Sequence, residues 1–234
     1  MNTSYLSAFS DLSSALIADA CVRRSLPLRA APPGIAAVVP GRRVAGRVLP
    51  TRHYGSVDVF LEVLTDCDAG DVLVVDNGGR TDEACIGDLT VLEAEAAGLV
   101  GLVVWGLHRD TRELLEIGFP VFSYGSYAPG PVRLDEREAE ALVSACVGPH
   151  LCTRDDVVFA DDDGVVFVAA ADVDEVLETA RGIWVTEREQ ARRLRDGETL
   201  REQLAFDEYL AQRANDPSFS FRQHLRRIGG AIEE

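Results

Sequence analysis

Two runs in this chain are apolar at nearly every position: VLVVD at residues 72–76 and LVGLVVW at residues 99–105. Strands buried on both faces of a parallel sheet read this way. Between them, residues 88–97 carry apolar positions at helical spacing, with Leu89, Leu92 and Ala96 expected on the inner side, and Gly98 supplies a stop. A strand is expected over residues 43–52. A helix is expected over residues 56–64, where Val57, Phe60, Leu61 and Leu64 recur at i, i+3, i+4 and i+7. Nearer the start, residues 11–23 predict a helix capped by Asp11, with Leu12, Leu16, Ile17 and Ala20 on one face. Residues 77–86 read as a loop and Gly106 as a turn. A short helix follows from Asp110, then a strand over residues 120–124. This alternation predicts an α/β fold with a parallel sheet.

The pattern changes after Gly125. Pro129-Gly130-Pro131 marks a loop. Residues 157–160 and 165–169 read as strands around Asp161-Asp162-Asp163-Gly164, a hairpin turn. That acidic run lacks the alternating ligands and distal glutamate of a calcium loop, so a solvated turn is expected. From Ala171 the chain reads as helices. Val173, Val176, Leu177, Ala180, Ile183 and Trp184 form one stripe, and further helices are expected over residues 199–214 and 219–232. The chain divides into an α/β domain over residues 1–185 and a helical extension over residues 186–234, whose stripes are expected to bury against neighbouring subunits.

Composition narrows the chemistry. All 23 basic side chains counted as lysine or arginine are arginines. Schiff-base chemistry and a phosphate-loop lysine are therefore excluded. The formal net charge of −16 disfavours nucleic acid and anionic membranes as partners. With neither a leader pattern nor a long apolar run, a cytoplasmic location is expected. The five cysteines form no C-x-x-C and read as reduced thiols, Cys85 being the one nearest the candidate site. His53 and His108, each alone, read as structural. The glycines of Asp76-Asn77-Gly78-Gly79-Arg80 do not make a dinucleotide-binding fingerprint.

The candidate chemistry lies between Gly87 and Glu113. Ligands of open α/β sheets bind at the carboxyl ends of strands, and one βαβ step brings Asp88 and Arg109 to that edge. Backbone N–H groups around Gly87, Leu89 and Thr90 sit at a helix start and favour a carboxylate. Arg109 suits bidentate recognition of a small keto acid. Asp110 is a hard oxygen ligand for magnesium or manganese. Asp88 suits a water that moves a proton, and Glu113, one turn past Asp110, suits a role behind the metal ligand.

GDVLVVDNGG, then Gly87-Asp88, then twenty residues to Arg109-Asp110 and Glu113, then GFPVFSYG and RDDVVFADDDGVVFV, resemble the RraA-like family. It includes magnesium-dependent 4-hydroxy-4-methyl-2-oxoglutarate/4-carboxy-4-hydroxy-2-oxoadipate aldolases and RNase E activity regulators. The resemblance covers roughly residues 10–185. It implies a three-layer β/β/α sandwich assembled as trimers or hexamers, with the site at a subunit boundary. It also implies Asp110 on the metal, Arg109 on the keto acid, Asp88 on the proton-transfer water and the Gly87–Thr90 backbone on the pyruvyl carboxylate. Two functions are carried forward. One is a metal-dependent C–C lyase acting on a small 2-keto acid through an enolate, with oxaloacetate decarboxylation expected alongside. The other is a non-catalytic regulator that binds a ribonuclease or another protein.

Overall fold

The computed structural model describes residues 5–229. Helices α1 (Tyr5–Phe9) and α2 (Ser14–Arg23) open the chain, followed by the short strands β1 (Arg29–Ala30) and β2 (Ala36–Ala37). Strand β3 (Val44–Arg52) matches its expected span to within one residue and leads to α3 (Asp58–Leu64) and β4 (Val72–Asp76). Strand β5 (Ala84–Ile86), helix α4 (Asp88–Ala96), β6 (Gly101–Trp105), β7 (Leu107–His108), α5 (Thr111–Ile117) and β8 (Val121–Ser123) complete the first half. Two hairpins follow, β9 (Ser144–Val147) with β10 (His150–Thr153), and β11 (Asp156–Asp161) with β12 (Gly164–Ala169). The long α6 (Val173–Arg195) and the shorter α7 (Leu200–Gln203), α8 (Phe206–Asn215) and α9 (Phe221–Ile228) end the described chain. No helix among the described residues is long and apolar enough to cross a membrane.

Eight strands form one sheet in the order β1-β12-β11-β3-β4-β6-β8-β2. Strands β3, β4, β6 and β8 are parallel, as the sequence implied, whereas β11, β12, β1 and β2 join antiparallel. Strand β3 is the seam. Its first half, from Val44 to Arg47, pairs with β11, and its second half, from Val48 to Arg52, pairs with β4. Val48 of β3, Val74 of β4, Phe122 of β8, Val158 of β11 and Phe167 of β12 share one apolar core. Strands β8 and β12 are five places apart in the sheet, about 24 Å if it were flat. The sheet therefore curls, its two halves forming two β layers around this core. The β9–β10 hairpin adds Ala145, Val147 and Cys152 to the same core. Outside the parallel half, α3, α4 and α5 supply the helical layer. Outside the antiparallel half, α2 and α6 cover Val157, Phe159, Val166 and Val168. This is the expected β/β/α architecture, with extra helical cover and the helical tail.

Several local readings need correction. The cap of α2 is Ser13, whose side chain accepts from Leu16 N–H, so Asp11 lies before the helix. Asp161 is buried rather than solvated. Its carboxylate accepts from Ser14 N–H (2.9 Å) and Ser14 Oγ (2.6 Å), tying the β11–β12 turn to the start of α2. Helices α3 and α4 are rotated from the expected faces. Val59, Phe60 and Val63 of α3 and Val91 and Ala94 of α4 are buried, while Val57, Leu61, Leu89 and Leu92 are exposed. These four line an open groove between the helices, together with Leu64 and Ala96. In the tail, the single helix expected over residues 199–214 breaks at Ala205, which adopts a left-handed conformation (φ 46°). The last helix starts at Phe221 behind a Ser220 capping box, and the end of its expected span, residues 230–232, lies outside the described residues. The α6 stripe packs on α2 and the sheet of its own chain. In the tail, Tyr209, Phe219 and Phe221 surround the buried His224, and Phe206 packs against Tyr209 and Phe221.

A buried polar network fixes the loops at the carboxyl end of the parallel strands. Arg133 donates to Glu83 (2.9 Å) and to Asn77 Oδ1 (3.0 Å) and also pairs with Asp135. His53 Nδ1–H donates to the same Asn77 oxygen (2.8 Å), and its ring stacks on Phe60. His108 sits between Ser123 Oγ (2.6 Å) and Thr111 Oγ1 (3.1 Å). Both histidines are buried and hydrogen-bonded within the chain. Burial pushes both imidazoles below the ordinary histidine range.

Two outcomes follow from this packing. A Cβ on Gly46 would lie well inside 3.0 Å of the Gly70 carbonyl, at the seam. Gly46→Ala is expected to destabilise the fold by about 1–3 kcal/mol, visible as a lower thermal midpoint. The unfolded chain protonates His53 and His108 near about pH 6.5, and the folded chain only at lower pH. Their neutral forms therefore support folding above that pH, and the support is lost as pH falls below it. The midpoint should drop between about pH 7.5 and 5.5, and the double variant His53→Gln, His108→Gln should show a smaller drop.

Candidate active site

Strands β5 and β7, read from sequence as loop and turn, pair in parallel beside the main sheet. Ala84 faces Leu107 and Ile86 faces His108, and Arg109 N–H donates to the Ile86 carbonyl (3.0 Å). This ribbon delivers two helix starts side by side. Gly87 is the N-cap of α4, and Asp110 is the N-cap of α5. The ribbon, rather than strand β6 alone, is what brings Gly87 against Arg109 and Asp110 across twenty-odd residues. Apolar Ala84, Cys85 and Ile86 are all buried, and that triplet was the available signal for β5.

The approach is close. A Cβ on Gly87 would fall well inside 3.0 Å of Asp110 Oδ2 and about 3.3 Å from Arg109 Cγ. Only glycine allows the carboxylate to lie there. Asp110 itself is left-handed (φ 58°, ψ 39°), a conformation few non-glycine residues adopt. It makes no side-chain cap to α5. Its carboxylate lies 3.4 Å from Arg109 Nε, and the two side chains are 34% and 51% exposed. Both groups thus keep open faces toward solvent.

Arg109, Asp110 and Thr111 form one side of a cleft of about 400 Å³, and residues 126–129 form the other. This second wall is pinned to the ribbon at three places. His108 N–H donates to Gly125 O (2.9 Å), Tyr127 N–H to His108 O (2.8 Å) and Ala84 N–H to Pro129 O (2.9 Å). Glu83, next to Ala84 in sequence, is paired with Arg133 (2.9 Å). The sequence reading missed this wall and the buried network, whose partners are far apart in the chain.

The remaining candidates fall nearby. Asp88 is the first residue of α4, and its Oδ1 accepts from Leu89 N–H (2.8 Å). That donor is therefore already engaged within the chain. The side chains of Leu89 and Thr90 line the α3–α4 groove, not the cleft. Glu113 is exposed on the first turn of α5. Cys85 is buried, with Sγ toward Leu107 O (3.7 Å), and burial pushes its thiol far above the ordinary range. It is a neutral packing group.

Asp110 offers one carboxylate on an open cleft, and no group of three or more histidine, cysteine or acidic side chains that could hold a metal occurs among the described residues. One carboxylate with room for water suits a cation such as magnesium, which takes one or two protein carboxylates and keeps several waters. It does not suit a closed zinc site.

Comparison with known proteins places the chain in a family. A 35% identical stretch of 97 residues matches a putative 4-hydroxy-4-methyl-2-oxoglutarate aldolase from Bacillus anthracis, covering 42% of this chain and 60% of that protein. A 30% identical stretch of 130 residues matches protein DlpA of Legionella pneumophila, covering 55% of this chain and 21% of that protein. The chain thus spans less than two thirds of each of these relatives. Among solved structures it is similar to Streptomyces coelicolor RraAS2, described as an unusual member of the RNase ES inhibitor RraA protein family. The TM-score is 0.68 at 26% identity, over 84% of this chain and 98% of that one. The model of the RraA-like family, described as Aldolase/RraA, matches residues 14–167, and the chain belongs to that family.

Proposed function

We propose that this chain is a divalent-metal-dependent lyase that cleaves a C–C bond in a small 2-keto acid through a pyruvate-type enolate. One observation carries the reading: Arg109 and Asp110 stand together at the end of the β5–β7 ribbon, against a glycine, facing an open cleft. A guanidinium holds a carboxylate in two parallel hydrogen bonds, so Arg109 fixes the keto acid and opposes the charge that grows on its keto oxygen. Asp110 would hold Mg²⁺ or Mn²⁺, with Glu113 behind it. When bound, the cation supplies Lewis-acid polarisation of the keto group. The α4 N-terminus, at Gly87, Leu89 and Thr90, favours the pyruvyl carboxylate. For Leu89 N–H to serve, the Asp88 carboxylate must turn away from it. Asp88 would then be free to hold the water that takes or returns the proton.

The exposed α3–α4 groove adjoins this helix start through Leu89 and Thr90. Its open apolar face supports a homo-oligomer, a trimer or hexamer, with the site at a subunit boundary. A cytoplasmic setting and a small anionic substrate complete the reading.

A second reading, a regulator that binds a ribonuclease or other protein, is supported by the likeness to RraAS2 and by the net charge of −16, which can mimic an RNA surface.

Pyruvate release from oxaloacetate and from 4-hydroxy-4-methyl-2-oxoglutarate, with magnesium and with EDTA, tests the lyase. Arg109→Ala and Asp110→Ala should each lower kcat/KM by about a hundredfold or more while the thermal midpoint stays near that of the parent. An active Asp110→Ala protein removes the metal assignment. A salt-sensitive complex with a ribonuclease that survives Asp110→Ala, without pyruvate release, selects the regulator. Deleting residues 187–234 should change the number of subunits per particle seen by light scattering, and an unchanged subunit number removes the tail from the oligomer contacts.

A further inference from the structure

His108 immediately precedes Arg109 and Asp110, is buried, and has both ring nitrogens bonded. Nδ1 meets Ser123 Oγ (2.6 Å) at the end of β8, and Nε2 meets Thr111 Oγ1 (3.1 Å) on the first residue of α5. The second bond joins, side chain to side chain, the two residues that flank the Arg109-Asp110 pair. It closes a clasp around that pair. The first bond ties the clasp to the main sheet, where Ser123 Oγ also accepts from Gly125 N–H (3.2 Å). A neutral imidazole has one N–H and one bare nitrogen, and a hydroxyl serves either, so both bonds are made at once. The backbone of His108 is held as well, its N–H by Gly125 O and its carbonyl by Tyr127 N–H.

Inside the clasp lies a conformation that would otherwise relax. An aspartate that starts a helix ordinarily has an extended backbone, and its carboxylate accepts from an N–H of the first turn. Asp110 does neither: its φ is 58°, and its side chain makes no cap. Its carboxylate is instead set against Gly87 and beside Arg109. We infer that His108 is a positioning residue: through Thr111 and Ser123 it holds the Arg109-Asp110 link in its left-handed form, which keeps the Asp110 carboxylate in the cleft and off the end of its own helix. With the clasp opened, Asp110 turns to cap α5 and leaves the site. The effect on turnover rests on the lyase reading, whereas the hold on the Asp110 backbone does not.

Thr111→Val keeps the side-chain shape and removes the hydroxyl, and Thr111→Ser keeps the hydroxyl. Asp110→Gly relieves left-handed strain only while the clasp enforces it. The shift in thermal midpoint on Asp110→Gly should therefore be more favourable, by about 2 °C or more, in the parent than in Thr111→Val. The cost of leaving His108 Nε2 unpaired is common to both Thr111→Val proteins and cancels from the comparison. Thr111→Ser should behave as the parent does. Mn²⁺ binding, followed by electron paramagnetic resonance, should weaken about tenfold or more in Thr111→Val, and kcat/KM for pyruvate release from oxaloacetate should fall by as much. Equal Asp110→Gly shifts in the two backgrounds, a Thr111→Ser protein as impaired as Thr111→Val, or a Thr111→Val protein with the parent's Mn²⁺ affinity and turnover overturns the positioning role. Unequal shifts in a parent that neither binds Mn²⁺ nor releases pyruvate support the clasp and overturn the lyase.

Discussion

Everything in this molecule hangs on β3 pairing along opposite edges with its two halves. One half holds the antiparallel layer and the other the parallel layer. Because the strand is shared, the sheet must turn at it, and turning encloses a core that neither half could bury alone. The cost falls on local geometry. At Gly46 the Gly70 carbonyl and the Val72 side chain leave no room for a Cβ. The parallel half, steadied in this way, presents its carboxyl ends and the loops that leave them at one edge.

The site uses a second, smaller version of the same device. Two strands of two or three residues pair in parallel and set two helix starts against each other. The pairing replaces sequence proximity. Backbone hydrogen bonds hold Arg109, while the missing side chain of Gly87 admits the Asp110 carboxylate. Backbone hydrogen bonds from Tyr127 and to Gly125 and Pro129 hold the facing wall, and the buried Arg133–Glu83–Asn77 group fixes the loop that leads into β5. Position comes from the backbone and from buried ion pairs, so the exposed groups stay free for chemistry.

Legibility in the sequence followed the range of the interaction. Strand β4 was read to the residue because a run apolar on both faces is a local signature of a central parallel strand. The hairpin turn at residues 161–164 was also legible, and the structure sets Gly87 against Arg109 and Asp110, the segment the sequence singled out. Helices α3 and α4 were found but turned the wrong way. Their exposed Val57, Leu61, Leu89 and Leu92 look like core residues, and periodicity cannot separate a core face from an open groove. Strands β5 and β7 are too short to carry a period. Ala205 gave no hint of its left-handed turn, since alanine is not chosen for it. Asp161 looked like a solvated acid because its partner, Ser14, is 147 residues away.

Asp110 carries a backbone conformation that a glycine would adopt at no steric cost. Replacement by glycine would ease the main chain while deleting the one carboxylate that the cleft presents on that side. Selection for heat resistance alone would thus push this position away from aspartate, and on the proposed lyase reading selection for turnover would hold it there. A library of thermostable variants screened without an activity assay would let this residue drift toward glycine as readily as the left-handed Ser25 and Ala205, and its selective retention would report a demand other than the fold.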